Sequence, residues 1–249
     1  MSEHIHESLP VKIARLTVKA VGLLLVFGTI IFFIWRAFFS TAIPAEVRSL
    51  SPNPALRDAY EATLAEGREL TVFYQENQYD TTTVRDKNYS YFSAKEVRFI
   101  QEANQVQLLF RYNNATIRHL VEDYQLDEIP DRAEDLYDVT LYVAYDLTPA
   151  DLTDNAGNDP ASVKFVRYHA TSSEPAQSLM YNYRRLTFDG VDMTVSDNPV
   201  LAVYVDVYYL GDLDYEAEPY GTICIYDYMA EITYETLDKK EIEALEKLS

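Results

Sequence analysis

The chain has 249 residues, of which 40 are acidic and 21 are basic, and its formal net charge is −19 at pH 7. This acidic balance argues against a protein that binds nucleic acid, because such a protein needs clustered Lys and Arg side chains to contact phosphates. The single cysteine, Cys224, excludes an intrachain disulfide, so the chain is not a small secreted domain held together by disulfides.

A segment without charge, residues 20–35, is the most distinctive stretch of the chain, and Lys19 and Arg36 flank it. As a helix it covers about 24 Å, which is less than the roughly 30 Å of a bilayer core. Apolar residues continue on both sides, and Lys19 and Arg36 can extend their charges to the headgroups. We therefore predict a transmembrane helix over residues 16–39, with Lys19, Trp35 and Arg36 at the membrane interfaces.

The charges around this segment predict its orientation. Lys12, Arg15 and Lys19 precede it, and fewer basic residues follow it closely. Positive charge favours the cytoplasmic side, so residues 1–15 are predicted to be cytoplasmic and the rest of the chain extracytoplasmic. A cleaved signal peptide ending near residues 40–42 is the alternative, but the long apolar segment and long charged arm favour an uncleaved anchor.

The part of the chain beyond the anchor has its own composition. Residues 45–249 carry 38 acidic and 17 basic side chains, a formal net charge of −21, and all 21 tyrosines of the chain. An extracytoplasmic domain with one unpaired cysteine fits a bacterial cell envelope. Tyrosine suits both β-strands and binding surfaces, and in a β-rich domain the structural interpretation is favoured, with a binding surface as the alternative.

Local patterns predict a stalk and then a mainly β domain. Pro44 and Pro52 interrupt helix formation across a stalk at residues 40–53, and a helix capped by Asn53 follows and ends at Gly67. Two further helices are predicted, one after a cap at Asn114 and one from about residue 239. Alternating apolar residues predict strands at 69–75, 89–92, 96–101, 105–112, 136–147, 163–169, 179–188, 200–210, 220–229 and 231–235.

These elements predict the fold class. The dipeptide Asp189-Gly190 predicts a tight hairpin between residues 179–188 and 191–195. Few helices separate the strands, which argues against a parallel sheet. We therefore predict a mainly β protein: a single N-terminal transmembrane helix, then an antiparallel β-sandwich-like extracytoplasmic domain over residues 54–249 with a few short helices. This architecture is shared by many bacterial envelope proteins of unrelated function, so it assigns no functional residues.

An Asp- and Asn-rich loop is the candidate metal site. Its oxygen ligands for calcium are Asp151, Asp154, Asn155, Asn158 and Asp159. The loop lacks EF-hand spacing, and the same residue types also form ordinary surface turns, which is the alternative interpretation. No other cofactor is expected from the sequence.

Two acidic groups, within residues 122–135 and 212–218, are candidate sources of a catalytic carboxylate pair. Glycoside hydrolysis needs two carboxylates about 5–10 Å apart in a cleft, and solvated loops are the alternative. Ser196-Asp197-Asn198 stands without the companion motifs of penicillin-recognising enzymes and is interpreted as a turn. Cys224 is interpreted as a core residue between Ile223 and Ile225.

The leading functional hypothesis is a non-catalytic binding protein, anchored in the bacterial cell membrane through residues 16–39 and contacting a protein or cell-wall partner outside the cell. It depends on the anchor, the tyrosine-rich strands and the lack of a complete catalytic motif. The alternatives are a hydrolase that acts on envelope polysaccharide through acidic residues and an accessory or sensor subunit of a membrane complex. No nucleic-acid partner is expected.

Overall fold

The computed structural model describes residues 9–39, 42–75, 82–84, 87–89, 92–127, 136–146, 163–193 and 200–248. The chain divides into two compact units, Met1–Ala42 and Ile43–Ser249. Each unit is described by itself.

The first unit contains one long helix, α1 (Leu9–Phe39). Its stretch Ile13–Arg36 has 24 residues and is long and apolar enough to cross a membrane. Lys19, Trp35 and Arg36 all lie on this helix. The predicted apolar helix is therefore present, while its orientation and the interfacial roles of these three residues stay predictions.

The described part of the second unit contains twelve strands and three α-helices. The strands are β1 (Thr71–Tyr74), β2 (Thr82–Val84), β3 (Lys87–Tyr89), β4 (Ser93–Ile100), β5 (Gln105–Tyr112), β6 (Tyr137–Asp146), β7 (Val163–His169), β8 (Ser172–Gln177), β9 (Asn182–Asp189), β10 (Val200–Tyr209), β11 (Gly221–Asp227) and β12 (Thr233–Thr236). The helices are α2 (Pro54–Ala65), α3 (Asn114–Asp123) and α4 (Lys239–Glu246).

The strands form two main antiparallel sheets, which confirms the predicted fold class. The six-stranded sheet has the order β12-β1-β4-β5-β9-β8, and the four-stranded sheet has the order β11-β10-β6-β7. The two sheets pack face to face, and β2 and β3 form a separate hairpin. Side chains alternate between the two faces of a strand, so each sheet has an inner face toward the core and an outer face.

Aromatic and branched side chains from both inner faces form the main core. The phenyl rings of Phe73 and Phe99 stack at 4.9 Å, and those of Phe92 and Phe110 stack at 5.2 Å. Val205 of β10 is fully buried in the same cluster. Burial of each such side chain contributes about 1.5–3 kcal/mol, so this core is the main source of stability.

Residues 43–53, which the sequence predicts as a stalk, pack on the outer face of the six-stranded sheet. Val47 and Leu50 are buried, with 1% and 5% of their surface exposed. The buried guanidinium of Arg185, on β9, donates from Nη2 to the carbonyl oxygens of Val47 at 2.6 Å and Arg48 at 3.1 Å. These contacts make the segment part of the β-rich unit.

Side-chain amides and carboxylates also hold this segment. The backbone N–H of Ser51 donates to Oε1 of Gln107 at 2.7 Å, and Nε2 of Gln107 donates to the carbonyl oxygen of Ser51 at 2.9 Å. The Ser51 hydroxyl donates to Glu174, and the backbone N–H of Leu50 donates to Glu241 at 3.0 Å. Side chains of the sheet and of α4 therefore form the hydrogen bonds with backbone groups of this segment that a neighbouring strand would otherwise form.

The helix boundaries follow the predicted caps at two of three helices. Asn53 caps α2 and Gly67 has φ +72°, and Asp238 and Glu241 form a capping box on α4. Helix α3 differs by one residue, because Asn113 rather than Asn114 accepts from the backbone N–H groups of the first turn. Both residues are asparagine, so composition did not distinguish them.

The predicted hairpin at Asp189-Gly190 is wrong. Strand β9 ends at Asp189, and its two edges are already paired with β5 and β8. The chain turns at Gly190, whose φ is +75°, and the N–H of Val191 donates to the carbonyl oxygen of Asn104 at 2.8 Å. Strand β8, which the sequence analysis missed, occupies the edge instead and contains Pro175, a residue that edge strands tolerate.

Cys224 is not a core residue, which corrects the sequence interpretation. It is exposed, whereas Ile223 and Ile225 beside it are buried. Because side chains alternate along a strand, two inward isoleucines direct the cysteine between them to the outer face.

Replacement of Arg185 by alanine is expected to lower the free energy of unfolding by about 3 kcal/mol. The substitution leaves two buried carbonyl oxygens without their donor and removes the guanidinium whose Nη2 lies 3.4 Å from Oε1 of Glu96. Urea denaturation of the full chain in detergent, followed by circular dichroism, measures the change. The matched control is Arg68→Ala, which removes an exposed arginine paired with Glu66 and is expected to leave stability unchanged. Equal effects of the two variants would contradict the role of Arg185.

Candidate functional site

The calcium prediction falls outside the described residues. Asp151, Asp154, Asn155, Asn158 and Asp159 all lie between residues 147 and 162, which the structure does not describe. Within the described ranges, no group of three or more His, Cys, Asp or Glu side chains is placed to hold a metal ion. The calcium loop therefore stays a prediction, and the site with the most specific geometry lies elsewhere.

The outer face of the four-stranded sheet carries a cluster of aromatic and charged side chains. We call it the tyrosine face and define it by Tyr142, Phe165, Arg167, Asp206, Tyr208 and Tyr215. Five of these residues come from three adjacent strands, and Tyr215 comes from the segment after β10. The residues between them on the same strands are mostly valines and leucines. Their side chains lie on the opposite face of the sheet and belong to the core.

Arg167 lies at the centre of the tyrosine face. Its guanidinium carbon is 5.2 Å from the ring centre of Tyr142, 5.5 Å from that of Tyr208 and 5.2 Å from that of Tyr215. Nη2 donates to the Tyr208 hydroxyl at 3.1 Å. Its Nε is buried and has no hydrogen-bond partner among the described residues. A partly desolvated cation over aromatic rings contributes about 1–2 kcal/mol, so the rings fix the arginine in place.

Asp206 and Thr140 are buried polar groups beneath these rings. Asp206 is 5% exposed, and its Oδ1 accepts from the Thr222 hydroxyl at 2.8 Å. Burial raises the pKa of the Asp206 carboxyl, while hydrogen bonds and the charge of Arg167 oppose the shift. Thr140 lies opposite Asp206 in the sheet, and its buried hydroxyl has no partner within the described chain. A buried carboxyl and a buried hydroxyl without a partner both lower the stability of the fold at this face.

Tyr215 closes one side of the tyrosine face. Its hydroxyl donates to Oδ2 of Asp138 at 2.7 Å, and its ring meets those of His169 and Tyr208 edge-on at 4.9 Å and 5.1 Å. Burial and the hydrogen bond to Asp138 raise the pKa of Tyr215 to about 12. The hydroxyl therefore stays protonated at physiological pH and holds its segment on the sheet.

The other side of the face is an open aromatic surface. The rings of Tyr142 and Phe165 are nearly parallel, with centres 5.0 Å apart and planes 6° apart. Phe165 is 51% exposed although it is apolar. An exposed aromatic ring beside a fixed arginine is the composition found at the centres of binding interfaces.

The acidic group at residues 212–218 lies in the segment that carries Tyr215. The side chains of Asp214, Glu216 and Glu218 are exposed, which confirms the interpretation as a solvated loop for these three. Oδ1 of Asp214 accepts from the backbone N–H of Glu216 at 2.9 Å, as in an ordinary turn. In the other acidic group, Asp123 accepts from the Tyr220 hydroxyl at 2.8 Å, and residues 128–135 lie outside the described ranges.

Several carboxylates converge in a polar cleft of about 270 Å³ on the six-stranded sheet. It is lined by four acidic residues and three basic residues: Glu96, Glu235, Asp238, Glu241, Arg48, Arg98 and Lys240. Glu241 accepts from the backbone N–H groups of Leu50 and Asp238, and Glu235 lies 3.1 Å from Nη2 of Arg98. These carboxylates pair with arginines or cap backbone groups, so their geometry favours a structural role over acid–base catalysis.

Comparison of the chain with protein-family models, curated proteins and solved structures found no match in any of the three.

Sequence reasoning identified tyrosine as a candidate binding residue type but named no residue of this face. One signal was available, since Asp206 interrupts the valine-rich strand β10 and a charge there is unusual. The positions of Arg167 and Tyr215 had no local signal, because strands β6, β7 and β10 bring them together across large sequence separations.

Replacement of Asp206 by asparagine is expected to stabilise the protein at pH 7. Because burial raises the pKa, the folded carboxyl binds its proton more tightly than the unfolded one. Wild-type stability therefore falls as pH rises through the interval from the unfolded pKa of about 3.9 to the raised folded value, and asparagine avoids this loss. Denaturation curves at several pH values should show a gain at pH 7 that disappears near pH 3. The control Asp214→Asn, at an exposed position, should leave the stability at pH 7 unchanged, and a gain equal to that of Asp206→Asn would contradict the argument.

Proposed function

We propose that this protein is a non-catalytic binding protein of a bacterial cell envelope, anchored by α1 and using the tyrosine face to bind a protein or cell-wall partner. The observation that carries the proposal is the fixed arginine, Arg167, among three tyrosine rings and beside the exposed Phe165. Arg and Tyr are enriched at the residues that dominate binding energy. A surface whose side chains are already held in place loses little conformational entropy on binding.

The location of the partner follows from the anchor. The positive charges before the apolar segment favour a cytoplasmic N-terminus and an extracytoplasmic β-rich unit. The single unpaired cysteine is consistent with a bacterial envelope, where a core of this size needs no disulfide. The net charge of −21 on residues 45–249 favours partners with positive or neutral surfaces.

Cys224 supplies a direct test of this topology, because it is the one cysteine of the chain and is exposed. A membrane-impermeant maleimide is expected to label it in spheroplasts before lysis. Burial of part of the thiol raises the pKa of Cys224, so labelling is best performed at alkaline pH. The control is a chain with Cys224→Ser and Ser2→Cys, which should be labelled only after lysis. The opposite pattern would place the β-rich unit in the cytoplasm.

Photo-crosslinking tests the tyrosine face in native membranes. A photoreactive phenylalanine analogue at position 165 of the full chain is expected to give a discrete crosslinked product. Tyr142→Ala should lower the yield about fivefold, because truncation of a central aromatic residue typically costs more than 1 kcal/mol of binding energy. The matched control is Tyr234→Ala, an exposed tyrosine on the other sheet, which should leave the yield unchanged.

The identity of the captured material separates the two partner classes. A product of defined mass identifies a protein, whereas cosedimentation with isolated cell-wall sacculi that Tyr142→Ala abolishes identifies a wall polymer. Absence of both, or equal losses with Tyr234→Ala, would overturn the assignment of binding to the tyrosine face.

A further inference from the structure

An apolar hairpin tip lies beside the first residues of the β-rich unit. Strands β8 and β9 are joined by a turn in which the N–H of Ser178 donates to the carbonyl oxygen of Tyr181 at 2.8 Å. Leu179 and Met180, at the tip, are 66% and 43% exposed. Exposed apolar side chains that lie together can mark a protein or membrane contact site.

The hairpin and Ile43 pack against the same small cluster. This cluster buries Val47 and Tyr183, and Ile43 and Tyr181 pack against it. Tyr181 immediately follows Met180, so the hairpin tip and the start of the β-rich unit belong to one local structure. Ile43 is also held by Arg48, whose Nη2 donates to the Ile43 carbonyl oxygen at 2.9 Å.

The connection between α1 and the β-rich unit is short. Helix α1 ends at Phe39, so residues 40–42 are the whole connection. A fully extended chain spans about 3.5 Å per residue, so a connection of three residues reaches at most about 10 Å. The headgroup layer on each side of a bilayer is itself about 6 Å thick.

The chemistry beside the tip fits lipid headgroups. Arg111 lies over the Tyr181 ring, with its guanidinium carbon 4.3 Å from the ring centre. Tyrosine prefers the membrane interface, and arginine pairs with phosphate. Arg48 adds a second cation, while Glu46 is the exposed acid in the same segment. The charges of Arg111 and Arg48 are opposite in sign to the acidic balance of the unit as a whole.

We infer that the β8–β9 hairpin tip inserts Leu179 and Met180 into the headgroup region of the membrane that holds α1. The occupant of this surface is lipid, and the inference rests on the proposed anchoring by α1. The contact would give the unit a second point of attachment to the membrane.

Spin-label accessibility in nanodiscs tests this contact on the full chain. The nanodiscs contain phosphatidylcholine and phosphatidylglycerol, and each chain carries Cys224→Ser with one new cysteine. The three labelled substitutions are Val26→Cys in α1, Met180→Cys at the tip, and Met229→Cys, a control methionine that is 77% exposed on the β11–β12 connection. The collision rate with a water-soluble nickel complex is expected to be about threefold lower at position 180 than at 229, because lipid excludes the complex.

A second substitution checks that lipid contact causes the protection. Leu179→Asp, at an exposed position, should restore nickel access at position 180 without changing the circular dichroism spectrum.

The three labels separate the possible failures. Protection at positions 26 and 180 but not 229 supports the contact. Protection at 26 with equal access at 180 and 229 overturns the hairpin contact and leaves the anchor intact. A tip that contacts a protein partner instead of lipid gives the same result in nanodiscs that contain only this chain and lipid. Access at position 26 overturns the anchor itself, and the hairpin contact with it.

Discussion

A buried arginine joins the start of the β-rich unit to its sheet. Arg185 is fully buried, and its guanidinium spans two backbone carbonyl oxygens of the segment 43–53 and the carboxylate of Glu96. Burial lowers the pKa of Arg185, while the charge of Glu96 opposes that shift. Burial of an unpaired cation is costly, so the bonds from Nη2 to the two carbonyl oxygens and the pairing with Glu96 offset much of the cost of packing this segment over Arg185.

The outer faces of the two sheets differ in what covers them. The outer face of the six-stranded sheet is covered by the segment 43–53 and by helices α2 and α4, which bury Leu56 and Leu245 against it. The outer face of the four-stranded sheet holds the tyrosine face, where Arg167 is fixed by aromatic rings. Two buried or half-buried arginines therefore have different roles: Arg185 holds the chain to itself, and Arg167 helps to form a surface.

The functional proposals follow from these two surfaces. A carboxylate pair in the six-stranded sheet would have favoured hydrolysis, but Glu96, Glu235 and Glu241 are used to pair with arginines or to cap backbone groups. The tyrosine face instead keeps the buried Asp206 and the exposed Phe165, both of which are unfavourable for a monomer in water. These two features are the observations on which the proposed binding role of the tyrosine face depends.

The sequence by itself determined the apolar helix, the mainly β class and most strand positions, because periodicity and capping act between residues close in the chain. The cap of α2 by Asn53 and the capping box of α4 are such local signals. Tertiary structure decided which strands pair. Non-local pairing of β9 with β5 and β8 overrode the local hairpin signal of Asp189-Gly190, and the outer face collected Arg167 and Asp206 from distant positions. It also decided that residues 43–53 pack as a covering segment, since the donors that hold them, Gln107 and Arg185, lie far along the chain. Local patterns carry no information on such partners, because the energy of a buried hydrogen bond depends on groups that only the complete fold brings together.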